Sequence, residues 1–202
     1  MRHIYQSAER VLVWLGEECA EAITALTYVT NQSKLRSNNY DVLTSVGKVF
    51  MDDHPGMVPD LADGYVTEET SLQKRGKQQL AGFRNILGRS WWTRVWVIQE
   101  VVVNPNVTLV CGHLEVSWSA FTALIRGIYQ STALSESTEE RAAYLQAIDR
   151  ALSREQYATQ TPQTMSELLL HHRGLCASDP RDNIFALLGI ASDMSATTFS
   201  PD

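Results

Sequence analysis

The sequence predicts an α/β fold: a central, mainly parallel sheet flanked by helices and incomplete at its N-terminal side. Three observations predict it. Short β-prone runs, "RVLVWLG" and "VTLVCG", are separated by longer stretches of helical period. The chain opens in mid-pattern, with a helix running into a strand and no strand before it. Its 202 residues, 44% hydrophobic and 20% charged, suffice for a substantial core without a disulfide or metal staple.

Each element follows in turn. "MRHIYQSAERVLVWLG" places Ile4 and Ala8 on one helical face ahead of a buried strand that Gly16 ends. That strand is expected in the interior of the sheet. The helix after it carries an apolar stripe of Ala22, Ile23, Leu26 and Val29. Its early acids Glu17, Glu18 and Glu21 suit the positive end of a helix dipole. Prolines and acids then predict a short helix near 41–52 and an exposed loop. Helical period returns with Leu72, Leu80, Phe83 and Leu87, and Gly88 stops it.

The segment "GRSWWTRVWVIQEVV" holds three of the five tryptophans. "VWVI" is β-prone, yet Trp92, Trp96 and Glu100 fall at i, i+4 and i+8, beside Val95, Ile98 and Val102. One helix with Ser90 as its N-cap accommodates both stripes and ends before Asn104–Pro105. Trp96 is expected to be mostly buried. "VTLVCG" is then a strand, with Cys111 inside, and "HLEVSW" a short return strand. Helices follow at "WSAFTALIRGIYQ", around 138–157 and in "TMSELLLHHRGL". In "ASDPRDNIFALLGIA", Asp179 stands at the N-cap, Pro180 at the first helical position and Asp182 at the third. Gly189 stands where a C-cap falls.

A formal net charge of −6 argues against a general nucleic-acid binder. Three widely spaced cysteines fit reduced thiols in the cytoplasm rather than a secreted disulfide framework. No apolar run has the length of a membrane span. His171, His172 and Cys176 could begin a zinc site, but no second pair stands at zinc spacing, and a solvated helix end accounts for them. The helix cap already explains Asp179 and Asp182, so no metal is assigned there. There is no Gly-rich phosphate loop and no G-x-S-x-G elbow.

Three segments together resemble the fungal heterokaryon-incompatibility (HET) domain. "MRHIYQSAERVLVWLG" is similar to that family's Met-x-x-Ile-Tyr helix and its following strand. "RSWWTRVWVIQEVVV" resembles its W-x-R-V-W-V-x-Q-E block. "SDPRDNIFALLGIASD" resembles its D-P-R-D-K segment, with Asn183 in place of the lysine. The family's strands before these segments have no counterpart here. The resemblance therefore implies the C-terminal part of a HET domain over 1–103, a truncated copy, with 104–202 continuing the α/β region as one unit with it.

The resemblance implies a role in non-self recognition and programmed cell death, acting through protein partners or self-association. It implies no firm cofactor. HET domains have also been likened to TIR domains, which are flavodoxin-like and in some cases cleave NAD with a glutamate. By that likeness NAD is a candidate substrate and Glu100 the candidate catalytic acid, stabilising positive charge as nicotinamide leaves. The alternative reading of Glu100 is a packing residue paired with an arginine. Trp92 could stack on a base or anchor the helix. Arg94 could hold a phosphate, although pairing with the acids of Asp-Pro-Arg-Asp is the favoured reading.

Overall fold

The computed structural model describes residues 2–36, 71–130, 138–159 and 162–194. The expected helix near 41–52 and the loop after it lie outside them. In chain order the elements are α1 (Arg2–Ser7), β1 (Val11–Trp14), α2 (Ala20–Arg36), α3 (Ser71–Leu87), a 3-10 turn (Ser90–Thr93) and α4 (Val97–Val102). β2 (Val107–Cys111), β3 (Leu114–Ser117), α5 (Trp118–Gln130), α6 (Thr138–Thr159), α7 (Met165–His171) and α8 (Asp182–Leu188) follow.

The α/β class holds, but the sheet is mixed rather than mainly parallel. β1 and β2 run parallel, with Val11 opposite Val107, while β2 and β3 run antiparallel, with Cys111 opposite Leu114. The return is enforced locally. Only Gly112 and His113 join β2 to β3, and so short a link can produce only a hairpin. Gly112 takes a φ of +56°, which a side chain would resist. The three strands among the described residues do not by themselves establish a flavodoxin-like order.

β1 is not interior. Among the described residues it pairs with β2 alone. Val11 and Val13 are buried, whereas Leu12 and Trp14 are each 51% exposed. The run "VLVW" looks uniformly apolar, but strand geometry sends alternate residues to opposite faces. Here one face meets the core formed with Leu26, Phe83, Leu109 and Phe121.

α2 and α3 form the closest helix pair. Gly82 makes their approach possible, because a Cβ there would collide with the carbonyl of Glu21 and come within 2.7 Å of the Ala25 Cβ. Gly82→Ala is expected to cost about 1–3 kcal/mol by overpacking, although alanine is the better helix former. Urea unfolding measures it, and a more stable variant would show that the helices separate freely.

The tryptophan segment is not one helix. Thr93 O accepts from Cys176 N at 2.6 Å and Cys176 O accepts from Val95 N at 3.1 Å, forming a bridge between Arg94 and Cys176. Arg94 is accordingly extended, at φ −79° and ψ 137°. The 3-10 turn therefore ends there and α4 restarts at Val97. Ser90 makes no cap; it is the first residue of the turn, and Arg89 precedes it without a side-chain cap bond. Trp91 and Trp92 enter the main core, while Trp96 packs, partly buried, against a second cluster around Leu168, Leu175 and Leu187. α4 lies between the two, with Val97 and Val101 in the first and Ile98 in the second.

α1 differs as well. Ile4 is exposed, and Tyr5 and Ala8 are the residues that pack on the core. α7 starts with a capping box: Thr164 Oγ1 accepts from Glu167 N, and Glu167 Oε2 accepts from Thr164 N at 2.8 Å. The spacing T-x-x-E carried that signal in the sequence.

Candidate functional site

Glu100 and Gln99 are both buried on α4, and the two adjacent side chains reach different parts of the chain. On an α-helix consecutive residues diverge by about 100°, so neighbours can serve separate partners. Glu100 is 8% exposed. Its Oε2 accepts from Trp91 Nε1 at 3.1 Å, and its Oε1 accepts from the Tyr5 hydroxyl at 3.4 Å. Burial, and then the Glu100 carboxylate, push the Tyr5 phenol above its ordinary value. It stays protonated and keeps donating. Both carboxylate oxygens are thus held by neutral donors, joining α1 to the tryptophan turn.

Gln99 faces the other way. Its Nε2 donates to Ala186 O at 2.8 Å and to Phe185 O at 3.4 Å. Those carbonyls belong to the last turn of α8, where intrahelical partners run out. The amide therefore closes the end of that helix. Gly189 permits the fit, since a Cβ on it would lie 2.8 Å from Gln99 Nε2. Gly189 does stand just past the helix, but with φ −69°, so close approach rather than left-handed backbone explains it.

Asn104 was read only as a helix end, yet it is a buried tie. Its Nδ2 donates to Tyr5 O and Ala8 O, each at 2.7 Å, and its Oδ1 accepts from Asn106 N at 2.7 Å. Arg89 does similar work at the end of β1, donating through Nη1 to Leu15 O at 3.0 Å and Glu17 O at 2.8 Å. A lone asparagine or arginine has no sequence signal for such roles, because its partners lie about 70 to 100 positions away.

The predicted companions of Glu100 do not gather around it. Trp92 is buried on Phe121, its ring stacked at 6.0 Å, and its Nε1 donates to Ile86 O at 2.8 Å. Trp91 is the tryptophan that meets the carboxylate. Arg94 is exposed and makes no ion pair with Asp179 or Asp182. Asp179 instead takes Arg181, at 2.6 Å from Nη2 to Oδ2. Only Pro180 separates the two, so the pairing is local.

Asp179 is not the N-cap: α8 begins at Asp182, its N-cap position is Arg181 with no side-chain cap bond, and Asp179 closes the turn ahead of it. Its Oδ1 accepts from Arg181 N at 2.9 Å, and its carbonyl accepts from Asp182 N at 2.9 Å, one turn ahead of α8. No hydrogen bond to the Asp182 carboxylate is found among the described residues. The Arg181 side chain, then its backbone N–H, holds the Asp179 carboxyl down to about 2. The native carboxylate is thus favoured over the unfolded one, whose ordinary value is 3.8. Its stabilising contribution is complete above that value and vanishes as the pH falls through the folded value. Asp179→Asn keeps an oxygen for Arg181 N but loses the charge that pairs with the Arg181 guanidinium, so it is expected to melt between wild type and Asp179→Ala at neutral pH. Melting curves of the three proteins decide it; equal loss in Asn and Ala would make the charge, not the hydrogen bond from Arg181 N, the source of stability.

Two clefts formed by described residues are open to solvent. The larger, about 820 Å³, lies between the starts of β1 and β2 and the start of α5, and includes Arg10, Trp118 and Arg154. The smaller, about 440 Å³, lies beside α1 and includes Arg2, Asn104 and Tyr157. Neither is lined by Glu100, Trp92 or Arg94. His171 and His172 are engaged separately, with Asp149 and Tyr157. Among the described residues no three His, Cys, Asp or Glu side chains gather to hold a metal ion, and no helix is long and apolar enough to cross a membrane.

Residues 1–100 match the family model "Heterokaryon incompatibility protein (HET)". The chain is also similar to "Heterokaryon incompatibility protein 6, OR allele" of Neurospora crassa, at 26% identity over 235 aligned positions. All of the chain is covered, against 32% of that relative, so the chain spans about a third of its length. No solved structure matches.

Proposed function

Because residues 1–100 place this chain among the heterokaryon-incompatibility (HET) proteins, we propose that it serves fungal non-self recognition as a protein-interaction module whose output is programmed cell death. The similar Neurospora crassa protein, a heterokaryon-incompatibility protein by name, supports the setting. One observation carries the choice of a module over an enzyme. The Glu100 carboxylate is buried, with one oxygen committed to Trp91 and the other to Tyr5, and it lines neither cleft. In this reading Glu100 and Gln99 join α1, the tryptophan turn and α8, and residues 1–103 and 104–202 act as one unit. The partners are other proteins or further copies of the chain.

The second reading is a TIR-like NAD glycohydrolase with Glu100 as the catalytic acid and Trp92 and Arg94 binding the substrate. The family likeness favours it; the separation of those side chains does not. Glu100→Gln in the full gene product separates the two, because the amide keeps an oxygen acceptor and loses the charge. The module reading expects an unchanged death response at equal protein level and no nicotinamide release from either protein. A glycohydrolase would lose at least about a hundredfold in nicotinamide release, the scale of removing one preorganised electrostatic group. That loss, accompanied by loss of cell death, would overturn the module reading.

A further inference from the structure

The two clefts are neighbours. Pro105 and Arg154 line both of them. Arg154, on α6, is partly buried where they meet, and its Nη2 donates to Pro105 O at 2.5 Å. Together the clefts make a groove that runs from beside α1 to the start of α5. Arg2 lines one part, Arg10 the other and Arg154 both. Among the lining residues these three arginines stand against a single acid, Glu9, on a chain of formal net charge −6. The groove is thus a basic strip on an acidic molecule. Arg10 Nη1 lies 2.8 Å from Glu115 Oε2, but the two side chains are 48% and 51% exposed, and an exposed pair of this kind contributes little and exchanges partners readily.

The rest of the lining selects the class of ligand. Val102, Val103 and Ile190 are partly buried and give the smaller cleft an aliphatic wall. The two lining aromatics are occupied within the fold. Trp118 is buried with its Nε1 donating to Ala151 O, and the Tyr157 ring stacks on His172 with its hydroxyl 3.1 Å from His172 Nε2. Single-stranded nucleic acid is held by stacking on open aromatic faces, which these rings do not offer. A peptide with acids for the arginines and an apolar side chain for the aliphatic wall matches both features. We propose that the groove receives an extended acidic segment of a partner protein, its carboxylates meeting Arg2, Arg154 and Arg10. The proposal rests on the module reading above and names the chemistry of its partner. The two fail separately, because Glu100 lines neither cleft and Glu100→Gln leaves the groove untouched.

The test is fluorescence anisotropy of the whole chain with three labelled probes: a peptide alternating glutamate and leucine, the same peptide with glutamine for glutamate, and an oligouridylate of equal charge. The acidic peptide is expected to bind saturably with a Kd below about 1 mM, the weak end of specific association, and less tightly as sodium chloride is added. The glutamine peptide should bind at least about tenfold more weakly. Arg154→Gln and the double variant Arg2→Gln/Arg10→Gln should each weaken the acidic peptide by at least about tenfold. Arg173→Gln removes an exposed arginine that lines neither cleft and should leave the Kd unchanged. No saturable binding of the acidic peptide, an equal Kd for the glutamine peptide, or tighter binding of the oligouridylate overturns the proposal. An equal loss in Arg173→Gln does the same, since it would reduce the effect to general charge. If Arg154→Gln fails to fold, the double variant decides: its two arginines are exposed, and an unshifted Kd there overturns the proposal.

Discussion

Trp92→Ala is expected to lower the free energy of unfolding by about 3–5 kcal/mol, the range for emptying a large aromatic site in a core. Little can collapse into the space. The ring is edge-on to Trp91 at 4.9 Å, tilted on Trp118 at 6.0 Å and stacked on Phe121 at 6.0 Å. The substitution also removes the donor to Ile86 O, leaving a carbonyl at the end of α3 without that partner. Trp96 provides the internal comparison. It was expected to be mostly buried and is partly so, against the second cluster, so Trp96→Ala should cost clearly less. Denaturant unfolding of both variants measures the difference; equal losses would show that the four-ring cluster has no special weight.

Asn104→Ala is expected to cost about 3 kcal/mol, since buried polar groups stripped of partners lose roughly 1–3 kcal/mol each. Two carbonyls, of Tyr5 and Ala8, lose their donor together. Asn104→Asp sharpens the test. It keeps the oxygen that accepts from Asn106 N but sets a carboxylate against those two carbonyls, so it should be at least as damaging. A neutral Asp variant in the same unfolding experiment would refute the hydrogen-bond account.

The elements that the sequence made legible are those whose signals are local. The helix over Trp118–Gln130, the strand Val107–Cys111 and the turn that Asp179 closes ahead of α8 follow from period, β-branching and side-chain reach. The helical spacing of the tryptophan segment is real, but a strand-like exchange with Cys176 interrupts it. That exchange joins residues about 80 positions apart, and no local pattern announces it. The same holds for the site. Glu100 was singled out, but its partners Trp91 and Tyr5 were not, because the i, i+4, i+8 rule presumed an unbroken helix and pointed to Trp92 and Trp96 instead.

The placement of Gln99 and Glu100 on successive positions of α4 makes this short stretch intolerant of any change in its length. Deleting or inserting one residue between Arg94 and Ile98 would turn the helix by about 100° relative to the bridge that anchors it. A one-residue deletion that swings Glu100 toward the carbonyls of Phe185 and Ala186 would set a carboxylate against oxygens that require a donor. A compensating substitution could restore one partner and not both. Natural variation here should therefore take the form of replacements, with insertions and deletions confined to other parts of the chain.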